Sequence, residues 1–128
     1  MSTIRLGNIS LDCADHRELA LFWADLLGGE IVLMTEEVGV VKLDHLLLTT
    51  LKVENHVRPT WPAGSVPKQA HIDVDVDNLE EAERRAISLG AERPGTQPDP
   101  ESYVVLLDPA GHPFCLTTQI SEELRPDR

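Results

Sequence analysis

The sequence predicts an α+β domain built from two tandem βαβββ units, and three observations carry that prediction. A strand-like stretch, Asn8-Ile9-Ser10-Leu11-Asp12, returns as His71-Ile72-Asp73-Val74-Asp75 at an offset of 63 residues. Each copy runs into a helix start of the same design. Each unit then closes through a hairpin that ends in Leu-Thr-Thr, at Leu48-Thr49-Thr50 and Leu116-Thr117-Thr118. Self-similarity at a long fixed offset is the signature of a repeated structural unit.

The opening stretches alternate with period two, as a strand buried on one face does. Ile9, Leu11 and Cys13 share one face of the first copy, and Ile72, Val74 and Val76 share one face of the second. Their opposite faces carry Asn8, Ser10 and Asp12, or His71, Asp73 and Asp75. Asp15 with Glu18, and Asn78 with Glu81, then have capping-box spacing, again 63 residues apart. Leu19, Phe22, Trp23 and Leu26 form an apolar helix face in the first unit; Leu79, Ala82, Ala86 and Leu89 do so in the second. Leu27-Gly28 and Leu89-Gly90 end the helices where glycine can take the left-handed cap conformation.

A strand and a hairpin are expected after each helix. In the first unit Val40–Leu43 turns near Asp44-His45 and leaves through Leu46–Leu51. In the second, Tyr103–Leu107 enters the turn Asp108-Pro109-Ala110-Gly111-His112 and leaves through Pro113–Thr118. The Leu-Thr-Thr echo falls at an offset of 68, five residues more than the opening strands. The chain therefore reads as one domain: unit one at 3–53, a Pro-rich linker at 54–67, unit two at 68–119 and a charged tail at 120–128 expected to fray.

Composition bounds the function. At 128 residues the chain can bury a core without disulfides or metals, and 41% hydrophobic with 26% charged residues is ordinary globular usage. No apolar run approaches the roughly 20 residues of a membrane span, and the N-terminal residues lack a signal-peptide h-region. A cytoplasmic location with Cys13 and Cys115 as reduced thiols is expected. Eleven basic against 22 acidic residues give a net charge of −11, which disfavours nucleic acid and anionic membranes and favours cationic ligands.

In their order and spacing these features resemble the vicinal oxygen chelate superfamily, which includes glyoxalase-like domains and bleomycin-resistance-type proteins. The resemblance runs from about Ile4 to Thr118. It rests on the two βαβββ units, on Gln69–Val74 as the strand that opens the second unit, on the Trp61-Pro62 linker and on the Asp108–Leu116 hairpin. It implies an eight-stranded sheet assembly curled around a cleft, with helices outside, polar strand faces lining the cleft, and a homodimer as the frequent assembly. Metal-dependent members place four ligands on the opening and closing strands of the two units. Carried onto this sequence, those positions are Asn8, Leu47, His71 and Cys115.

That set lacks the usual His, Gln or Glu at three of its places, so no metal cofactor is expected. If a divalent ion binds, His71, Asp73 and Cys115 are the donors. The expected function is binding of a small molecule, with Asn8, Ser10, Thr49, Trp61, His71, Asp73, Cys115 and Thr117 as ligand-binding residues. A resistance-type protein holding a cationic drug is one form of this reading, with Trp61 stacking on the ligand. The alternative is a lyase, isomerase or dioxygenase acting on a small carbonyl compound. In it, His71 serves as a general base oriented by Asp73, or a metal does the work. His71 is equally readable as a histidine satisfied by its neighbours, Cys115 as a small buried apolar group, and Trp61 as a linker anchor. His45, His56 and His112 have no spacing that would gather them.

Overall fold

The computed structural model describes residues 4–125; residues 1–3 and 126–128, the outermost part of unit one and of the tail, lie outside the described residues. The chain divides into two compact units, the first running to His56 and the second starting at Val57.

In the first unit β1 (Asn8–Cys13) leads into α1 (His16–Leu27), followed by β2 (Glu30–Met34), β3 (Val38–Lys42) and β4 (Leu47–Lys52). The Asp15 carboxylate caps α1 by accepting from the Glu18 backbone N–H at 3.1 Å, and Gly28 ends the helix at φ +69°. The predicted caps are therefore present at both ends. The strands form one sheet in the order β1-β4-β3-β2, with β1 parallel to β4. α1 covers one face of that sheet through Leu19, Ala20, Phe22 and Trp23, the last two meeting edge-to-face at 5.2 Å. Thr50 is fully buried beneath the helix, where its hydroxyl donates to the His16 carbonyl at 2.7 Å. Such a buried hydroxyl would be costly without that acceptor.

The second unit repeats the plan with β5 (Ile72–Asp75), α2 (Leu79–Leu89), β6 (Tyr103–Leu107) and β7 (Pro113–Thr117), in the sheet order β5-β7-β6. Asn78 caps α2 by accepting from the Glu81 N–H at 3.0 Å. The opening strand is again parallel to the closing one, and β6 pairs antiparallel with β7. Asp108 holds the turn between β6 and β7, its buried carboxylate accepting from the Ala110 and His112 N–H groups at 3.0 and 2.9 Å.

The expected eight-stranded assembly is not what the described residues form: they hold seven strands in two separate sheets. The missing element is the strand after α2. Residues 91–102 contain Pro94, Pro98 and Pro100, which have no N–H to donate to a ladder. One antiparallel bridge forms, Glu92 with Leu107, and the next hydrogen-bonded pair of the ladder would be Pro94 with Val105. There the Gln97 side chain takes the place of a backbone. Its amide donates to the Val105 carbonyl at 2.8 Å and its oxygen accepts from the Val105 N–H at 2.9 Å.

The segment after Gln119, expected to fray, carries a 3-10 turn at Glu122–Leu124. Arg125 Nε and Nη2 lie 2.7 and 3.3 Å from the two carboxylate oxygens of Asp75. That ion pair ties the tail to β5.

Candidate functional site

Side chains alternate across a strand, so each sheet has one face toward its helix and one away from it. In the second unit Phe114 and Leu116 of β7 face α2 and are buried, which leaves Cys115 and Thr117 on the other face. Pairing places Asp73 beside Cys115 on β5, and Val105 and Tyr103 beside Cys115 and Thr117 on β6. His71 stands just before β5 on the Asp73 face. These residues line a pocket of about 370 Å³, together with Trp61, Lys68, Gln119 and Ile120.

Five of the eight predicted ligand-binding residues thus meet in one pocket: Trp61, His71, Asp73, Cys115 and Thr117. His71 Nε2 lies 3.1 Å from Asp73 Oδ1, and both side chains are partly exposed. The donor atoms of His71, Asp73 and Cys115 all fall within 4.8 Å of one another. Burial pushes the Cys115 thiol up to about 11; the Asp73 charge and hydrogen bond push the same way, and Lys68 opposes them weakly. A thiolate here would add a second negative charge beside a carboxylate in a poorly hydrated place. Trp61 is anchored by its indole N–H, which donates to the Thr96 carbonyl at 3.0 Å. The Lys68 ammonium sits 4.9 Å from the centre of its ring, so the protein's own cation covers one approach to the aromatic face.

Asn8, Ser10 and Thr49 form a cluster of their own hydrogen bonds on β1 and β4 of the first unit. The Thr49 hydroxyl donates to Asn8 Oδ1 at 2.7 Å, and the Asn8 amide donates to Ser10 Oγ at 3.0 Å. Strand register also corrects the assignment of Leu47. Ser10 pairs with Thr49 as Asp73 pairs with Cys115, whereas Asn8 pairs with Leu47. The equivalent of Cys115 is therefore Thr49, two residues beyond Leu47. The Leu-Thr-Thr echo misled because it matches residue types, while register is decided by backbone pairing.

Sequence reasoning missed Tyr103, Val105 and Lys68. The first two were within reach: folding the hairpin about Ala110 sets 105 against 115 and 103 against 117. Lys68 opens unit two ahead of β5, where no periodicity announces direction.

The comparisons with known proteins agree with this architecture. A glyoxalase-like domain model matches residues 8–117. The chain belongs to that family, and with it to the vicinal oxygen chelate superfamily. Among solved structures, a glyoxalase-related enzyme from Fulvimarina pelagi aligns with TM-score 0.62 and 21% identity over 88% of this chain and 86% of that one. The fosfomycin resistance protein FosX from Mesorhizobium loti aligns with TM-score 0.69 and 14% identity over 95% and 97%. A mutant form of FosX from Listeria monocytogenes, solved with Mn(II) and dihydroxypropylphosphonic acid, gives TM-score 0.68 and 14% identity over 97% and 96%. At these identities the likeness is one of fold. No match is found among curated protein sequences.

The ligand positions that the resemblance implies fall on both units, and the donor chemistry is unequal between them. Asn8, Ser10 and Thr49 offer neutral oxygens already engaged with one another. His71, Asp73 and Cys115 offer an imidazole, a carboxylate and a thiol. Of the three donor types in the second unit, the thiol is the one that departs from the nitrogen and oxygen ligands that suit manganese.

Proposed function

We propose that this glyoxalase-like protein binds a small molecule in the pocket of its second unit, without the superfamily's four-ligand metal centre. The pocket itself carries the reading. At about 370 Å³ it has the size of small-molecule sites, with aromatic and apolar walls and a few converging polar groups. Trp61 and Tyr103 supply flat surfaces, and His71 with Asp73 supplies a polar grip. A cationic group on the ligand would be met by Asp73, since Lys68 already covers Trp61. A drug-binding role is one form of this function; FosX, which shares the fold, is named as a fosfomycin resistance protein.

A thermal-shift screen in the presence of chelator tests it, using cationic antibiotics alongside neutral and anionic compounds of similar size. A true ligand at 100-fold its Kd stabilises by about 2.7 kcal/mol, a rise of several degrees. Trp61→Ala and Asp73→Asn should abolish that rise. Shifts that survive both substitutions, or no shift with any compound, would sink the proposal. The 3.1 Å contact between His71 and Asp73 favours a second reading, in which the imidazole moves a proton of a bound carbonyl compound. In that case His71→Gln keeps the ligand-induced shift and loses turnover.

A further inference from the structure

We propose that His71, Asp73 and Cys115 form a zinc site contained wholly within the second unit. This goes beyond the ligand-binding reading and does not need it.

Three different donor types converge from two adjacent strands. His71 and Asp73 lie two residues apart on one face at β5, and parallel pairing brings Cys115 of β7 beside Asp73. The 3.1 Å between His71 Nε2 and Asp73 Oδ1 is close to the edge of about 3.3 Å that two ligands subtend at a tetrahedral zinc with bonds of about 2.0–2.1 Å. The widest donor separation is within 4.8 Å, so closing on an ion takes side-chain adjustment on the order of an ångström. Imidazole, carboxylate and thiolate with a fourth position left open is a catalytic-type zinc set.

The donor types choose among metals. A thiolate is soft, which favours zinc over manganese or magnesium, and affinity for mixed nitrogen, oxygen and sulfur donors also rises from manganese toward zinc. On binding, Cys115 releases its thiol proton to solvent, while Asp73 binds as the carboxylate and His71 as neutral imidazole. The dication then meets two negative ligands, and the local charge sums to zero. Neighbouring Lys68 is therefore not opposed by a net positive site. Asp73 lies outside the four superfamily positions. It is the donor that lets one unit supply three ligands alone.

Metal-free full-length protein, kept reduced, is titrated with cobalt(II), then with zinc, and separately with manganese(II). Cobalt should produce a near-ultraviolet thiolate-to-metal band that saturates at one equivalent, and one equivalent of zinc should bleach it. Manganese in tenfold excess should not. Cys115→Ser should lose the band, with its fold checked by circular dichroism. His71→Ala and Asp73→Asn, at partly exposed positions, should each weaken cobalt binding by roughly tenfold or more. Cys13→Ala should leave the band unchanged. Absence of the band in the natural protein, its persistence in Cys115→Ser, or displacement of cobalt by manganese would each overturn the assignment. No organic ligand enters this experiment, so its failure is separate from that of the proposed function.

Discussion

At Cys115 two local influences agree. Burial withholds water from a thiolate, and the Asp73 carboxylate repels it, so the thiol is pushed up to about 11 from an ordinary 9.0. That displacement corresponds to about a hundredfold less thiolate near neutral pH, and the thiolate is the reactive form. Alkylation at pH 8 under metal-free conditions should therefore be on the order of a hundredfold slower at Cys115 than in the urea-unfolded chain. A rate equal to that of the unfolded chain would show that the thiol is neither shielded nor repelled. The same shift makes stability depend on pH. A thiol whose folded pKa is raised contributes fully below about pH 9, and that contribution is lost as pH climbs from 9 through 11. Melting temperatures of metal-free protein across this window should fall in the natural protein, and fall less in Cys115→Ala.

Two features of the strands have consequences for stability. Gln97 stands in for a strand that three prolines prevent, pairing with both backbone groups of the buried Val105. Truncation by Gln97→Ala leaves an N–H and a carbonyl without partners and should cost about 1–3 kcal/mol in denaturant unfolding. Gln97→Glu is the more informative variant: it keeps an acceptor for the Val105 N–H but sets a carboxylate oxygen against the Val105 carbonyl. It should be no more stable than the alanine variant. In the first unit Gly39 of β3 passes close beneath α1. A Cβ there would lie 2.7 Å from Thr50 Oγ1 and 3.1 Å from Ala20 Cβ. Because Thr50 is pinned by its bond to the His16 carbonyl, Gly39→Ala should destabilise by about 1–3 kcal/mol, read from chemical denaturation. Little change would mean that α1 shifts more easily than its packing implies.

Across the whole molecule, the fold was far more legible than the site. Strand alternation, capping residues and glycine stops act over a few residues, so Asn8–Asp12, Asp15, Asn78 and the Asp108–His112 turn declared their roles in the linear chain. Family membership followed from their order and spacing. Among the described residues no helix is long and apolar enough to cross a membrane, in keeping with the composition. The eighth strand was misjudged because repetition of the unit argued for it, while Pro94, Pro98 and Pro100 locally forbade it. For the site, alternation placed His71 and Asp73 on one face of their strand, and Cys115 and Thr117 on one face of theirs. What the sequence by itself determined is thus the repeated unit and the residue types on each strand face, because both are properties of local spacing. Only the tertiary structure decided that Thr49 rather than Leu47 answers Cys115, that Lys68 covers Trp61, and that His71, Asp73 and Cys115 converge within one unit. The first and last are outcomes of strand register, set by hydrogen-bonded pairing between segments about forty residues apart, and the second follows from the turn that the Thr60–Pro67 bridge closes.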